Sequence, residues 1–417
     1  MRSVAVLADT DRRWRWGLTM ARRLNPAAVV TGYQFAGSDI PSQRQLAEVG
    51  ISADSVSVVS AGELLNALAS DPVDVLVVAL RGGGVQAILH LIAHAGLPRR
   101  PLLLTGYTGV VPDRQIEGLL LRAGADVITA NSPAEYELFR DGFERLGLPT
   151  DALTLTRLAF LRRGGPRSRL RFTVTFAGQS EVPSARWQRR YIVERLAEHA
   201  RRHPERDVIL RLRNAPGDPS RPAEQYPYEE LVRSLGAERP ANLKLAGGDL
   251  GRVLDRTDLL ITINSAVAVE AIHRSLPTAV LTDFGIRESL GNTYFLGSGC
   301  LVSFDEVDNG AAPLAAEGWA RHHGLIADVD PMPARVAELL AAGPLPPIKP
   351  FYNLSNGKAF LPALLANYGV GTDGRPLGFL VTDANPGLRR AVRRSARNMY
   401  RHGSEVVAPV LRRLASL

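Results

Sequence analysis

Short runs of β-branched and aliphatic residues recur along the chain at intervals that leave room for one helix between them. The first six are SVAVLA (3–8), AAVVTG (27–32), SVSVV (55–59), VDVLVVAL (73–80), PLLLTG (101–106) and ADVITA (125–130). Most are continuous rather than alternating, as strands buried on both faces are, and each leads through a polar turn into a stretch of helical spacing. The basic Gly/Pro stretch LRRGGPRSR (161–169) interrupts this rhythm and reads as a linker. It restarts with RFTVTFAG (171–178), DVILRLR (207–213), LKLAG (243–247), DLLITIN (258–264), TAVLTD (278–283) and CLVSF (300–304). Such alternation predicts parallel sheets covered by helices, so the expected fold is α/β with two doubly wound, Rossmann-like domains. The expected boundaries are 1–160 and 170–342, followed by a C-terminal extension over 343–417 that opens with GPLPPIKP (343–350) and ends in basic helices.

In open parallel sheets ligands bind beyond the carboxyl ends of the strands, where helix N-termini present unpaired N–H groups. In the first domain those loops carry Asp9 and Trp14 (ADTDRRWRW), Gly83 (RGGGVQ), and Tyr107, Thr108 and Asp113 (GYTGVVPDR). None of them is a GxGxxG fingerprint, and no GxxxxGK[ST] phosphate loop occurs, which argues against nicotinamide cofactors and ATP hydrolysis. In the second domain the corresponding loops carry Gln179 and Ser180, placed to touch a donor, then Arg211 and Arg213, then Asn264, Ser265 and Glu270. Arg211 and Arg213 point the same way from one strand and either fork a diphosphate or form a solvated edge. Ser265 either caps a helix or also offers its hydroxyl to a phosphate. Glu270, about 7 Å further along that helix and about 140° around it, is a carboxylate on an apolar run and needs either ribose hydroxyls or an arginine.

The segment VEAIHRSLPTAV (269–280) resembles the EAxxxGxPV signature of the GT-B glycosyltransferase superfamily, with a more distant similarity to sialyl- and Kdo-transferase-like enzymes. The resemblance implies two facing Rossmann-like domains, the second holding a nucleotide-sugar donor with its ribose on Glu270 and its phosphates near Asn264–Ser265. Three positions depart from it. Ser275 stands where the signature has glycine, RLRN stands where sialyl- and Kdo-type enzymes carry Lys/Arg-x-His-Pro, and Thr262 stands where retaining relatives carry an acid. A CMP-sugar donor loses support from the second.

The expected function is transfer of a sugar from a nucleotide-sugar to a glycan, lipid-linked or metabolite acceptor, with no cofactor beyond the donor and no metal. Asp9 is the leading base for the acceptor hydroxyl and Asp113 the second, though either residue is equally suited to capping a helix. Trp14, with Trp16, stacks on an acceptor or packs a helix; Gly83, Tyr107 and Thr108 lie on the acceptor side. The alternatives are a GT-B-fold nucleotide-sugar epimerase and a non-catalytic nucleotide- or membrane-binding protein.

Composition adds constraints. Hydrophobic content of 45% and charged content of 22% describe a globular chain, and no apolar run approaches the roughly 20 residues that span a bilayer. The first residues read straight into a strand rather than a leader, so the expected location is cytoplasmic. Of the net charge of +8, residues 388–417 carry eight arginines against one glutamate, 8 − 1 = +7. The body is therefore near neutral, no nucleic-acid partner is expected, and the tail is expected to touch an anionic membrane surface weakly or to fold back onto the first domain. His90 and His94 have ligand spacing without a third ligand, and packing is the expected role. Cys300 is expected to be a small buried hydrophobe.

Overall fold

The structure is a computed structural model that describes residues 1–36, 50–110, 116–161, 164, 171–212, 225–247, 250–326 and 329–377, with backbone only at 116 and 117. The chain forms two compact units, one of Met1–Ala159 joined by the returning chain from 329 to 377, the other of Phe160–Ala327.

The first unit is built on seven parallel strands: β1 (Ser3–Ala8), β2 (Val29–Phe35), β3 (Ser55–Val59), β4 (Val75–Ala79), β5 (Leu102–Gly106), β6 (Val127–Ala130) and β7 (Leu153–Leu155). Their order is β3-β2-β1-β4-β5-β6-β7, so the winding reverses between β1 and β4. Alternate residues of β1 serve opposite faces. Ala5 and Leu7 join a core with the helix Gly82–His94, while Val4, Val6 and Ala8 join another with the helix Asp11–Leu24. Both faces being apolar explains why the strand reads as an unbroken hydrophobic run.

The returning chain covers both faces in turn. The helix Met332–Ala341 packs Met332 and Val336 into the core that holds Trp14, and residues 348–370 then close the opposite core with Ile348, Tyr352, Leu361 and Leu365. The expected boundary at 342 is therefore displaced: 332–341 belongs to the first unit's core. Its crossing requires special backbone at Gly124, with φ +111, where a Cβ would lie 2.6 Å from the Lys349 carbonyl oxygen. Gln86 and His90 both hydrogen-bond the Tyr352 carbonyl, at 3.0 and 2.9 Å, which gives His90 its packing role. The tail beyond 377 lies outside the described residues.

The second unit carries β8 (Thr173–Ala177), β9 (Asp207–Arg211), β10 (Leu243–Ala246), β11 (Leu259–Thr262), β12 (Thr278–Leu281) and β13 (Leu301–Val302), all parallel, in the order β10-β9-β8-β11-β12-β13. Winding reverses between β8 and β11. Cys300 is wholly buried, and burial pushes its thiol pKa up.

Candidate functional site

At a reversal of winding the two flanking loops diverge to opposite faces and leave a crevice beyond the strand ends. In the second unit that crevice lies between β8 and β11, and Gln179, Asn264 and Ser265 meet there. Gln179, two residues past β8, accepts a hydrogen bond on Oε1 from the Asn264 N–H beyond β11 at 3.2 Å, which ties the two loops together. Ser265 is the N-cap of the helix Ala266–His273, its hydroxyl accepting from Val267 N–H at 3.2 Å. Asn264 is met from the other side by Gly291, with φ +70, where a Cβ would overlap the Asn264 amide.

The loop that includes Gly291 is locked by the buried Asn292, which accepts from Arg287 N–H at 2.9 Å and donates to the Leu281 and Gly285 carbonyls. Asp283 in the same loop accepts from Tyr191 Oη at 2.6 Å and from Phe304 N–H. Burial and that carboxylate push the Tyr191 phenol far above its ordinary range.

Glu270 is 4% exposed and forms an ion pair with Arg274 one turn on, which also meets Asp255 at 2.9 Å. Of the two partners a buried glutamate there requires, this structure supplies the arginine. Arg274 holds one oxygen, Oε1; no described residue hydrogen-bonds the other. Arg211 is the last residue of β9 and is half buried, while Arg213 lies outside the described residues.

Sequence reasoning missed Arg189. It is 2% exposed, donates to the carbonyls of Pro183 at 2.7 Å, Tyr226 at 2.9 Å, Gln179 at 3.2 Å and Ser180, and lies over the Tyr228 ring. One guanidinium thus shapes the loop carrying Gln179 and Ser180. The available signal was its place on the apolar stripe of its helix with Ile192, Val193 and Leu196.

In the first unit the candidates divide. Asp9 stands just past β1 and is paired with Arg13 at 2.7 Å; the cap of the following helix is Thr10, not Asp9. Trp14 is 2% exposed and packs over Gly32 in the core beside Trp16, so it offers no face to an acceptor. Trp14 falls on the helix's inward stripe with Leu18 and Ala21, while Trp16, about 200° around, is covered from the side of Gly106. Gly83 is likewise covered. A Cβ there would only touch Leu364 and Tyr368 at 3.4 Å; it is at Gly84, where a Cβ would lie 2.9 Å from the Tyr368 ring, that the missing side chain lets the returning chain approach. Tyr107 and Thr108 remain at the carboxyl edge beyond β5, both half buried, with burial raising the Tyr107 phenol pKa. Asp113 lies outside the described residues.

A second missed residue is Arg122, 6% exposed, whose guanidinium stacks 4.0 Å over the Tyr107 ring. An arginine closing the apolar run Leu119–Leu121 was the signal. Among the described residues no group of three or more His, Cys, Asp or Glu is arranged to hold a metal.

A family profile described as "Putative glycosyltransferase (DUF6716)" matches residues 4–339. The chain belongs to this family. Among solved structures it is similar to UDP-GlcNAc 2-epimerase from Methanocaldococcus jannaschii, with 11% identity and a TM-score of 0.53 over 82% of this chain and 100% of that one. It is also similar to UDP-GlcNAc 2-epimerase from Neisseria meningitidis bound to UDP-GlcNAc, with 10% identity and a TM-score of 0.51 over the same shares. No curated protein matches. The two doubly wound units are those of the GT-B fold.

Proposed function

We propose that this chain transfers a sugar from a nucleotide-sugar donor to a hydroxyl of a glycan, lipid-linked or metabolite acceptor, with the donor nucleotide seated at the crevice between β8 and β11. The observation that carries the proposal is the junction there: two loops tied by Gln179 and Asn264, a helix start at Ser265, and a buried carboxylate on the same helix. Phosphate lies against the N–H groups of that helix start, where the aligned peptide dipoles favour negative charge. Arg211, with Arg213, assists the leaving diphosphate. Ribose hydroxyls donate to the Glu270 oxygen that Arg274 leaves open, and Ser180 borders the donor beside Gln179.

Asp9 is the leading candidate for taking the acceptor proton, and its pairing with Arg13 means that the base must leave that partner or act on the oxygen not engaged by it. Asp113 is the alternative. The basic tail of residues 388–417, at +7, fits a weak peripheral contact with an anionic membrane surface, to which each arginine near the surface contributes about 1 kcal/mol at best.

Calorimetric titration with a panel of nucleoside diphosphates tests the site. The parent binds one of them, and Glu270→Ala weakens that binding by about 1.5–3 kcal/mol, the range for hydrogen bonds to a charged group. Equal nucleotide affinity in parent and variant overturns the assignment. Turnover of a nucleotide-sugar without any acceptor assigns the chain to epimerisation, and binding without turnover to a non-catalytic role.

A further inference from the structure

Arg122 lies beside the carboxyl edge of the first sheet, close enough to Arg13 to feel its charge. Arg122 donates through Nε to the Gly106 carbonyl at 3.1 Å and through Nη1 to the Gly118 carbonyl, and its remaining partner is the Tyr107 ring. All three are neutral, and among the described residues Arg122 meets no carboxylate. A cation this deeply buried is ordinarily paired, because its lost hydration is otherwise uncompensated. Burial lowers its pKa, and the charge of Arg13 nearby lowers it further.

Arg13 is held from below by Asp9 at 2.7 Å. Arg12, one residue earlier at the helix start, lies over Gly109, where a Cβ would come 2.5 Å from its Nη2. Arg13 thus acts on Arg122 at this edge, and Arg12 reaches the β5 loop from the first turn of the 14-residue helix Asp11–Leu24. An anion with several oxygens suits guanidinium groups, since planar forks engage two oxygens at once; the helix start itself is already capped, Thr10 Oγ1 accepting from Arg13 N–H at 3.3 Å and Asp11 Oδ1 from Arg12 N–H at 2.7 Å.

We infer that Arg122, Arg13 and Arg12 form a binding site for a phosphoryl group carried by the acceptor, which makes the acceptor a phosphorylated compound. The inference rests on the sugar-transfer reading for who brings the phosphate; the anion site itself does not depend on it. The arrangement also places that phosphate beside Asp9, so acceptor binding draws Arg13 toward the phosphate and releases the carboxylate.

The test is titration of the full chain with inorganic phosphate at fixed ionic strength, alone and after saturation with the nucleoside diphosphate it binds. Phosphate is expected to bind the saturated chain, with Arg122→Gln and Arg13→Gln each weakening it about tenfold or more and Glu270→Ala leaving it unchanged. Arg13 and Asp9 are both partly exposed, so Arg13→Gln keeps the test alive if Arg122→Gln does not fold. Unchanged phosphate affinity in Arg13→Gln overturns the inference. So does loss of phosphate binding on nucleotide saturation, which assigns the phosphate to the donor's own site. Failure of the sugar-transfer reading looks different: no nucleotide binds, and phosphate binding stays sensitive to Arg13.

Discussion

Replacing Ser275 with glycine should stabilise the second unit. The helix Ala266–His273 ends with Leu276 N–H bonded to the Ala271 carbonyl at 3.0 Å and Ser275 N–H bonded to the Ile272 carbonyl at 2.9 Å, the two bonds of a Schellman motif. That places Ser275 at the position requiring left-handed backbone, and its φ is +52. A residue with a Cβ gives up about 1–2 kcal/mol there, and glycine's greater freedom in the unfolded chain returns about 0.5–1 of it. The net gain is about 0.5–1 kcal/mol. The unit spans 327 − 160 + 1 = 168 residues, a size at which 1 kcal/mol shifts Tm by about 2–4 °C. Differential scanning calorimetry of Ser275→Gly should therefore show a rise of about 1–4 °C in the transition that nucleotide also shifts, while Ser275→Ala, equally strained, stays near the parent. If Ser275→Gly melts at or below the parent, the serine hydroxyl holds something that backbone strain does not explain, and the reasoning fails.

Other consequences follow from the same physical accounting. Gly124→Ala forces a Cβ into the Lys349–Pro350 backbone and should cost more than about 2 kcal/mol in the first unit, read by denaturant titration. Arg189→Ala leaves four carbonyls without their donor and should lower both stability, by about 3 kcal/mol, and nucleotide affinity; stability lost with affinity kept would make Arg189 purely structural. Burial lowers the His90 pKa from 6.5, so the unfolded chain takes up a proton that the folded chain refuses. The stability tied to His90 is then complete above pH 6.5 and declines as pH falls through the lowered folded value, a slope that His90→Gln should flatten in Tm measured from pH 7 to 5.

All twelve expected strand runs coincide with observed strands; burial on both faces writes the central ones as uninterrupted apolar stretches that no surface helix imitates, while the edge strand β3, exposed over Ser55–Val58, shows itself by its β-branched residues. The strand β7, only Leu153–Leu155, was not expected; three residues between polar neighbours carry no period. Helix starts were also local. Ser265 before an apolar run and Ser275 five residues past Glu270 are where a cap and a left-handed residue belong, and the structure uses them so.

What the sequence left open depends on residues far apart in the chain. Whether Glu270 faces a ligand or an arginine turns on Arg274 and on Asp255, which follows the helix Leu250–Leu254. Trp14 and Gly83 stand in the first turns of helices that follow the right strands, yet Gly32 of β2 and Tyr368 of the returning chain cover them. Arg122 and Arg189 were invisible as site residues because a buried guanidinium is recognisable only once its carbonyl partners, drawn from several loops, are known. Local pattern set the strands, the helix ends and the place where a ligand could bind; side-chain partners, being contacts between segments distant in sequence, were decided by the tertiary structure alone.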